Sequence, residues 1–280
     1  MERHSKTYPI KALCRALEIC RASYYAYRDR APSIRSMQNL ELREKIVQLH
    51  QLHRNALGIV RTWKMLNQQN IVCGKHRVAR LRKDAGLVAR RVAKFRVMHK
   101  HQNTAPPAPD LVKRAFNVTA PNRVWVGDIT SIMTGEGWLH LAVVLDLFAR
   151  RIVGWAMDER QPAALPSKAL QNAIEQRRPA PGLICHTDQG AVYSANEYQA
   201  VVESFGGRQS MSRRGNCHDN AVVESFFSTL KNELTHHTTY TTRAEAISAI
   251  SDYIELYYNR VRPHTTLKYR SPMQLEMEQL

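Results

Sequence analysis

Three apolar stretches of strand character follow one another between Arg123 and Met157, with room only for tight turns between them. Arg123 to Thr134 reads as a strand, Gly135-Glu136-Gly137 as a hairpin turn, Trp138 to Ala149 as a second, almost unbroken apolar strand, and Ile152 to Met157 as a third. Connections this short imply an antiparallel meander, since a parallel pair needs a long crossover. Beyond it, helix and strand signals alternate. A helix of about Ala163 to Arg177 precedes a short strand Leu183 to His186. A helix of about Ala195 to Phe205 precedes a strand near Gln209-Ser210-Met211, and an amphipathic helix follows.

The order βββαβαβα predicts an α/β domain, a ribonuclease H-like core with three strands in a meander and helices around them. Three carboxylates sit where such a core would expose them. Asp128 closes the apolar run Val124-Trp125-Val126-Gly127, and Asp188 closes Leu183-Ile184-Cys185-His186-Thr187. Glu224 lies early in the helix Asp219-Asn220-Ala221-Val222-Val223-Glu224-Ser225-Phe226-Phe227. Gathered together they form a cluster of negative charge that divalent cations would relieve, which points to metal-dependent phosphoryl transfer. Asp146, on the second strand, is a further carboxylate near this set: either a ligand or an ordinary strand-end residue.

The last helix has a face that can be read by arithmetic. Val223, Phe227, Leu230 and Leu234 make one apolar stripe, and Asn220, Glu224, Ser228 and Lys231 line up on the adjoining face. Lys231 lies two turns from Glu224, where it would meet a phosphate. Asn220, one turn earlier, would orient substrate or water. Both also fit ordinary exposed helix positions.

The charge of the chain is uneven. Its formal net charge is +17, and residues 1 to 100 hold 23 of the 41 Lys and Arg against 6 of the 24 Asp and Glu, so the whole excess lies there. A polyanion is the expected partner of that region, and residues 101 to 280 balance to zero. Its apolar periodicity is helical. Ile10, Leu13, Cys14 and Leu17 mark one helix and Ser23 stands as the N-cap of another, a helix-turn-helix pattern. Leu42, Ile46 and Leu49 mark a third helix, Val60, Trp63 and Leu66 a fourth, and Val78, Leu81 and Ala85 a fifth that Gly86 ends. The fifth carries Lys75, His76, Arg77, Arg80, Arg82 and Lys83, a face suited to DNA, or else simply solvated.

Pro106, Pro107, Pro109 and Pro121 mark a stiff linker. The expected organisation is therefore a basic all-α helix-turn-helix region over 1–100, a linker over 101–120, and the catalytic core with C-terminal helices over 121–280. Cys14, Cys20, Cys73, Cys185 and Cys217 are scattered and odd in number, which argues for reduced thiols, and none has zinc-ligand spacing. With no apolar leader and no membrane-length apolar run, a cytoplasmic protein is expected.

The blocks Trp125-Val126-Gly127-Asp128-Ile129-Thr130, His186-Thr187-Asp188-Gln189-Gly190 and Asp219 to Phe227 resemble the three active-site blocks of integrase-type transposases, with 35 residues between Asp188 and Glu224. Most similar is the OrfB-type transposase of insertion sequence family three, whose C-terminal block matches Tyr258-Asn259-Arg260-Val261-Arg262-Pro263-His264 and Leu267-Lys268-Tyr269-Arg270-Ser271-Pro272. Leu57 before Gly58, where relatives usually have Tyr, is a local departure, and the zinc site of retroviral integrases is missing. The resemblance implies two Mg²⁺ (or Mn²⁺) ions held by Asp128, Asp188 and Glu224. It implies cleavage at the element's ends by water, then joining by the freed 3′ hydroxyl in the same site. It also implies double-stranded DNA partners (terminal inverted repeats and target), a homo-oligomer on DNA in the bacterial nucleoid, and a partner or fusion from an upstream reading frame. A catalytically inactive DNA-binding regulator and a nuclease that cuts without joining are the alternatives.

Overall fold

The meander forms where the sequence places it, and β1 (Val124–Thr134) runs through its centre. β2 (Gly137–Asp146) and β3 (Arg151–Asp158) extend it antiparallel on one side. On the other side β4 (Ile184–Thr187) and β5 (Arg208–Met211) add in parallel, giving the order β3-β2-β1-β4-β5 of a ribonuclease H-like sheet. In a computed structural model of the chain, residues 4–90, 108–113, 117–212 and 220–279 are described. They fall into two compact units, Met1–Gln48 and Leu49–Leu280. Residues 101–107 and 114–116, half of the expected linker, lie outside the described residues, as does Cys217.

β2 is shorter than expected, ending at Asp146 rather than Ala149. The Asp146 carboxylate accepts the N–H groups of Asn122 (2.8 Å) and Phe148 (2.9 Å), which turns the chain out of the strand. Arg150, at φ 59°, completes the turn into β3. This also settles the standing of Asp146: fully buried and bonded to backbone, it is a turn-forming residue.

Alternation sorts the strands onto two cores. Val126, Leu141, Val143 and Leu145 face a cluster with Val223, Phe226, Phe227 and Leu230 of α8 (Ala221–Glu233) and with Ile250 of α9 (Arg243–Asp252). Trp125, Ala142 and Val144 face the opposite cluster with Ala169, Leu170 and Ala173 of α6 (Ala164–Arg177), and with Tyr198 and Val202 of α7 (Asn196–Ser204). β3 meets α6 closely because residue 154 has no side chain: a Cβ there would lie 2.4 Å from the Ala169 carbonyl oxygen. After α9 the chain makes a π-helical turn, Tyr253–Tyr258, and ends in α10 (Pro272–Met277), which a Ser271 capping box starts.

The unit Met1–Gln48 contains α1 (Ile10–Ala16), α2 (Arg21–Arg28) and most of α3 (Ile34–Leu52), with Cys14 and Tyr24 buried. α2 starts two residues before the expected Ser23 cap. Its N-cap is Cys20, whose side chain makes no capping hydrogen bond. Within the larger unit, α4 (Ile59–Gln68) and α5 (Lys75–Asp84) follow the expected limits. The inner face of α4 differs: Thr62 and Leu66 are buried, whereas Val60 is 46% exposed. This helical part joins the catalytic part through the His53 Nδ1 to Tyr257 hydroxyl contact of 3.2 Å.

Candidate active site

Register brings Asp128 and Asp188 together. On adjacent parallel strands Val126 pairs with His186, and each aspartate lies two residues further along. Two residues preserve the face of a strand, and neighbouring strands lie about 4.8 Å apart, so the two side chains emerge side by side at the carboxyl end of β4. Asp128 also pairs with Val143, whose side chain lies on the α8 side of the sheet. Both carboxylates therefore face α8.

Local hydrogen bonds fix each of them. Asp128 Oδ1 accepts the N–H of Ile129 at 2.8 Å. Asp188 Oδ1 accepts the N–H of Gly190 at 2.9 Å, and a Cβ on residue 190 would stand 2.9 Å from that same oxygen. The turn leads directly into the 3-10 turn Ala191–Tyr193. Asn220, the N-cap of α8, is buried and donates from Nδ2 to the Gly127 carbonyl at 3.3 Å. That bond ties the start of the helix to the residue before Asp128. Asn220 is accordingly an anchor, and its Oδ1 finds no hydrogen-bond partner among the described residues.

Asp128 lies within the electrostatic reach of both other acids. Burial first, then the charges of Asp188 and Glu224, push the Asp128 carboxyl up to about 8, while the Ile129 N–H and Lys231 pull it back. Asp188 and Glu224 are exposed and Asp128 is half-buried, an arrangement open to a large substrate. Lys231 is half-buried on the α8 face expected for it; burial lowers its pKa and Asp128 opposes that. Ser228 is exposed. Among the described residues no three His, Cys, Asp or Glu side chains stand close enough together to grip one ion as placed. The donors are nonetheless all hard carboxylate oxygens in a shared field, the set that a hard divalent cation takes.

One buried tyrosine has no warning in the sequence. Tyr193 is 2% exposed, packs edge-on against Tyr198 with ring centroids 5.2 Å apart, and is coupled to the charges of Asp128 and Asp188. An aromatic residue three positions after a glycine reads as core.

Residues 118–217 and 199–272 match models of the integrase core domain, and residues 37–95 match a model of an HTH-like domain. The chain is 36% identical over 282 residues to the transposase InsF for insertion sequence IS3A of Escherichia coli (strain K12), covering 100% of this chain and 98% of that one. It is 42% identical over 250 residues to the transposase for insertion sequence element IS904 of Lactococcus lactis subsp. lactis, covering 88% and 98%. The chain belongs to the IS3-family insertion-sequence transposases. The transposase is thus a polynucleotidyl transferase of the DDE type, and nothing in these matches favours a regulator without chemistry or a nuclease that cuts without joining. Among solved structures, a chain of the simian T-cell lymphotropic virus intasome in complex with PP2A regulatory subunit B56 gamma aligns at a TM-score of 0.49 and 19% identity, over 76% of the transposase and 73% of that chain.

The HTH-like match makes the transposase a DNA-binding protein, and α5 lies inside the matched span. Lys75, His76, Arg80 and Lys83 are exposed on α5, with His76, Arg80 and Lys83 at i, i+4 and i+7 along one stripe; Arg77 is half-buried. Arg82 departs from expectation. It is 3% exposed, and its guanidinium donates to the Leu57 carbonyl (2.8 Å) and to Thr62 Oγ1 (3.0 Å). Those bonds hold the α4–α5 pair together and remove Arg82 from any DNA-facing set. Among the described residues no helix is long and apolar enough to cross a membrane.

Proposed function

We propose that Asp128, Asp188 and Glu224 are the catalytic carboxylates of this transposase and together hold two Mg²⁺ (or Mn²⁺) ions. The observation that carries this reading is the raised Asp128 carboxyl, which responds to both other acids at once. When bound, such ions activate the attacking oxygen and stabilise the leaving oxygen of an in-line displacement at phosphorus. The residues supply the rest. The three carboxylates provide hard oxygen donors, the Asp188–Gly190 turn holds one of them in place, and Asn220 keeps α8, and with it Glu224, against β1. Lys231, facing Asp128, meets the phosphate. No covalent protein nucleophile is required, so one set of side chains serves both water at the element end and the 3′ hydroxyl at the target.

Linkage gives the metal reading a test. The Asp128 carboxyl titrates higher in the folded, metal-free protein than when unfolded. Its stabilising contribution is full below the ordinary carboxylate range and is lost as pH rises from there to about 8. Divalent cations bind the ionised set and reverse that loss. Melting temperature is expected to respond to Mg²⁺ more strongly at pH about 8 than at pH about 5, and Asp128→Asn is expected to erase the difference. An equal Mg²⁺ response at both pH values in the unaltered protein would remove the assignment.

The same reading places double-stranded DNA, the terminal repeats and the target, against Lys75, Arg77, Arg80 and Lys83, within a DNA-binding region over 1–100 joined by a linker over 101–120 to the core over 121–280. Work on DNA ends in pairs favours a homo-oligomer acting in the bacterial nucleoid, with the upstream-frame product as partner or fusion. Affinity is expected to fall steeply with salt, and each of Arg80→Ala and Lys83→Ala to reduce the slope of log affinity against log salt by about 1. Unchanged slopes in both variants would move the DNA face elsewhere.

A further inference from the structure

A second group of cations, none of them on α5, lies along the seam between α4 and the C-terminal block Tyr258 to Pro272. Two contacts close that seam. Gln68 Nε2 donates to the Lys268 carbonyl at 3.1 Å, and the contact of 3.2 Å between His53 Nδ1 and the Tyr257 hydroxyl holds the loop before α4. Arg61 lies two turns before Gln68 and Lys64 one turn before it, so the three share one stripe of α4, and the two cations run along the seam that Gln68 closes. Lys268 is exposed at the Gln68 end. Arg54, in the loop before α4, sits over the rings of Tyr253 and Tyr257, 5.3 and 5.2 Å from their centroids.

Arg54, Arg61, Lys64 and Lys268 have no carboxylate partner among the described residues. The acid buried at this seam is Glu233, and Arg262 and the Tyr253 hydroxyl take up both of its oxygens. Aromatic faces orient a guanidinium without cancelling its charge, so the N–H fork of Arg54 stays available to an anion. Arg61, Arg54 and Lys64 are half-buried. Burial lowers the Arg61 pKa and Arg262 lowers it further, with Glu233 opposing both. Half-buried cations gathered around one spent carboxylate are unfavourable by themselves, and an anion would relieve them. The backbone is also held in a costly state on both sides of the seam. Arg54 and Asn55 (φ 55° and 58°) and Lys268 and Tyr269 (φ 54° and 66°) are consecutive non-glycine pairs in the left-handed region, a strain that gathers at ligand clamps.

We propose that this seam is a phosphate-binding surface, on which Arg54, Arg61, Lys64 and Lys268 hold the backbone of double-stranded DNA between the HTH-like span and the integrase core. Cations strung along a seam suit the repeating charge of a DNA strand, and contacts of this kind fix register and orientation without reading sequence. The proposal rests on the DNA binding that the HTH-like match gives, and not on the assignment of α5 or of the carboxylates.

Arg61→Gln and Lys268→Gln remove charge while leaving α4 and the turn at Lys268 in place. In the whole chain, each is expected to lower the slope of log affinity against log salt by about 1, and the pair by about 2. The change is expected to be equal on a duplex carrying the terminal repeat and on an unrelated duplex of the same length, because phosphates are the same in both. The melting temperature of Arg61→Gln without DNA is expected to equal or exceed that of the parent protein, since repulsion from Arg262 is relieved. Lys64→Gln combined with Lys268→Gln decides the matter independently of how Arg61→Gln folds: a slope equal to the parent's in that pair would overturn the proposal. A loss of affinity confined to the terminal-repeat duplex would mean base readout and would overturn it too. Arg80→Ala measured alongside separates the two surfaces. If it lowers the slope while the seam variants do not, the seam fails alone; if the seam variants lower it while Arg80→Ala does not, the seam stands and the α5 face falls.

Discussion

Asp188→Asn is expected to lower cleavage and joining of element-end DNA together by about 10³-fold or more, while DNA binding persists. The substitution keeps size and retains an oxygen for the Gly190 N–H, so the turn after β4 survives. What it removes is one of three negative charges in a shared field, and with it the affinity for divalent cations. The two activities fall together because one site serves both. Single-turnover assays on DNA carrying the element's terminal repeats, with binding measured in parallel by electrophoretic mobility, check this. A variant that still cleaves but no longer joins would mean that the two steps use different groups.

The largest effect on stability is expected at the Glu233–Arg262 pair. Glu233 closes α8, and Arg262 belongs to the C-terminal block Tyr258 to His264; both are about 6% exposed. The guanidinium makes bonds of 2.8 to 3.0 Å to both carboxylate oxygens, and the Tyr253 hydroxyl donates to the same group at 2.8 Å. Removing either partner strands a buried charge, so Arg262→Ala and Glu233→Ala are each expected to cost about 3–5 kcal/mol in urea unfolding. The double substitution Glu233→Leu with Arg262→Met is expected to recover most of that, because apolar side chains of similar volume often replace a buried pair without loss. Single substitutions costing under about 1 kcal/mol would show that the pair is not desolvated. The pair also has a functional consequence, since it holds the far end of the helix whose near end carries Glu224. Asn259 of the same block bonds the Ile152 N–H and carbonyl at 3.0 and 2.9 Å, joining the C-terminal segment to the outer strand of the sheet.

How much of this the sequence discloses depends on the range of the interaction. The meander, the face of α8 and the placing of Asp128 and Asp188 after apolar runs follow from period-two and period-3.6 patterns, which are local, whereas the parallel pairing that sets the two aspartates side by side does not. Arg82 shows where such patterns stop. A basic residue on a basic helix reads as solvent-facing, and nothing in the local sequence tells that its guanidinium closes on the Leu57 carbonyl 25 residues earlier. The end of β2 is hidden for the same reason: an apolar run continues to Ala149, and the bond that turns the chain comes from Asn122 on the far side of β1. Thr62 replaces Val60 on the inner face of α4 because its hydroxyl bonds the Gly58 carbonyl and receives Arg82. The C-terminal block is conspicuous as a motif, yet its work as a clamp emerges only once Glu233 and Ile152 are found opposite it.

The central claim is that Asp128, Asp188 and Glu224 form one cation site. Crystals grown with Mn²⁺ and measured at wavelengths on either side of the manganese absorption edge test it most directly. Anomalous density enclosed by these three carboxylates is the result expected. Well-ordered manganese bound elsewhere on the protein, with the three side chains turned apart, would contradict it.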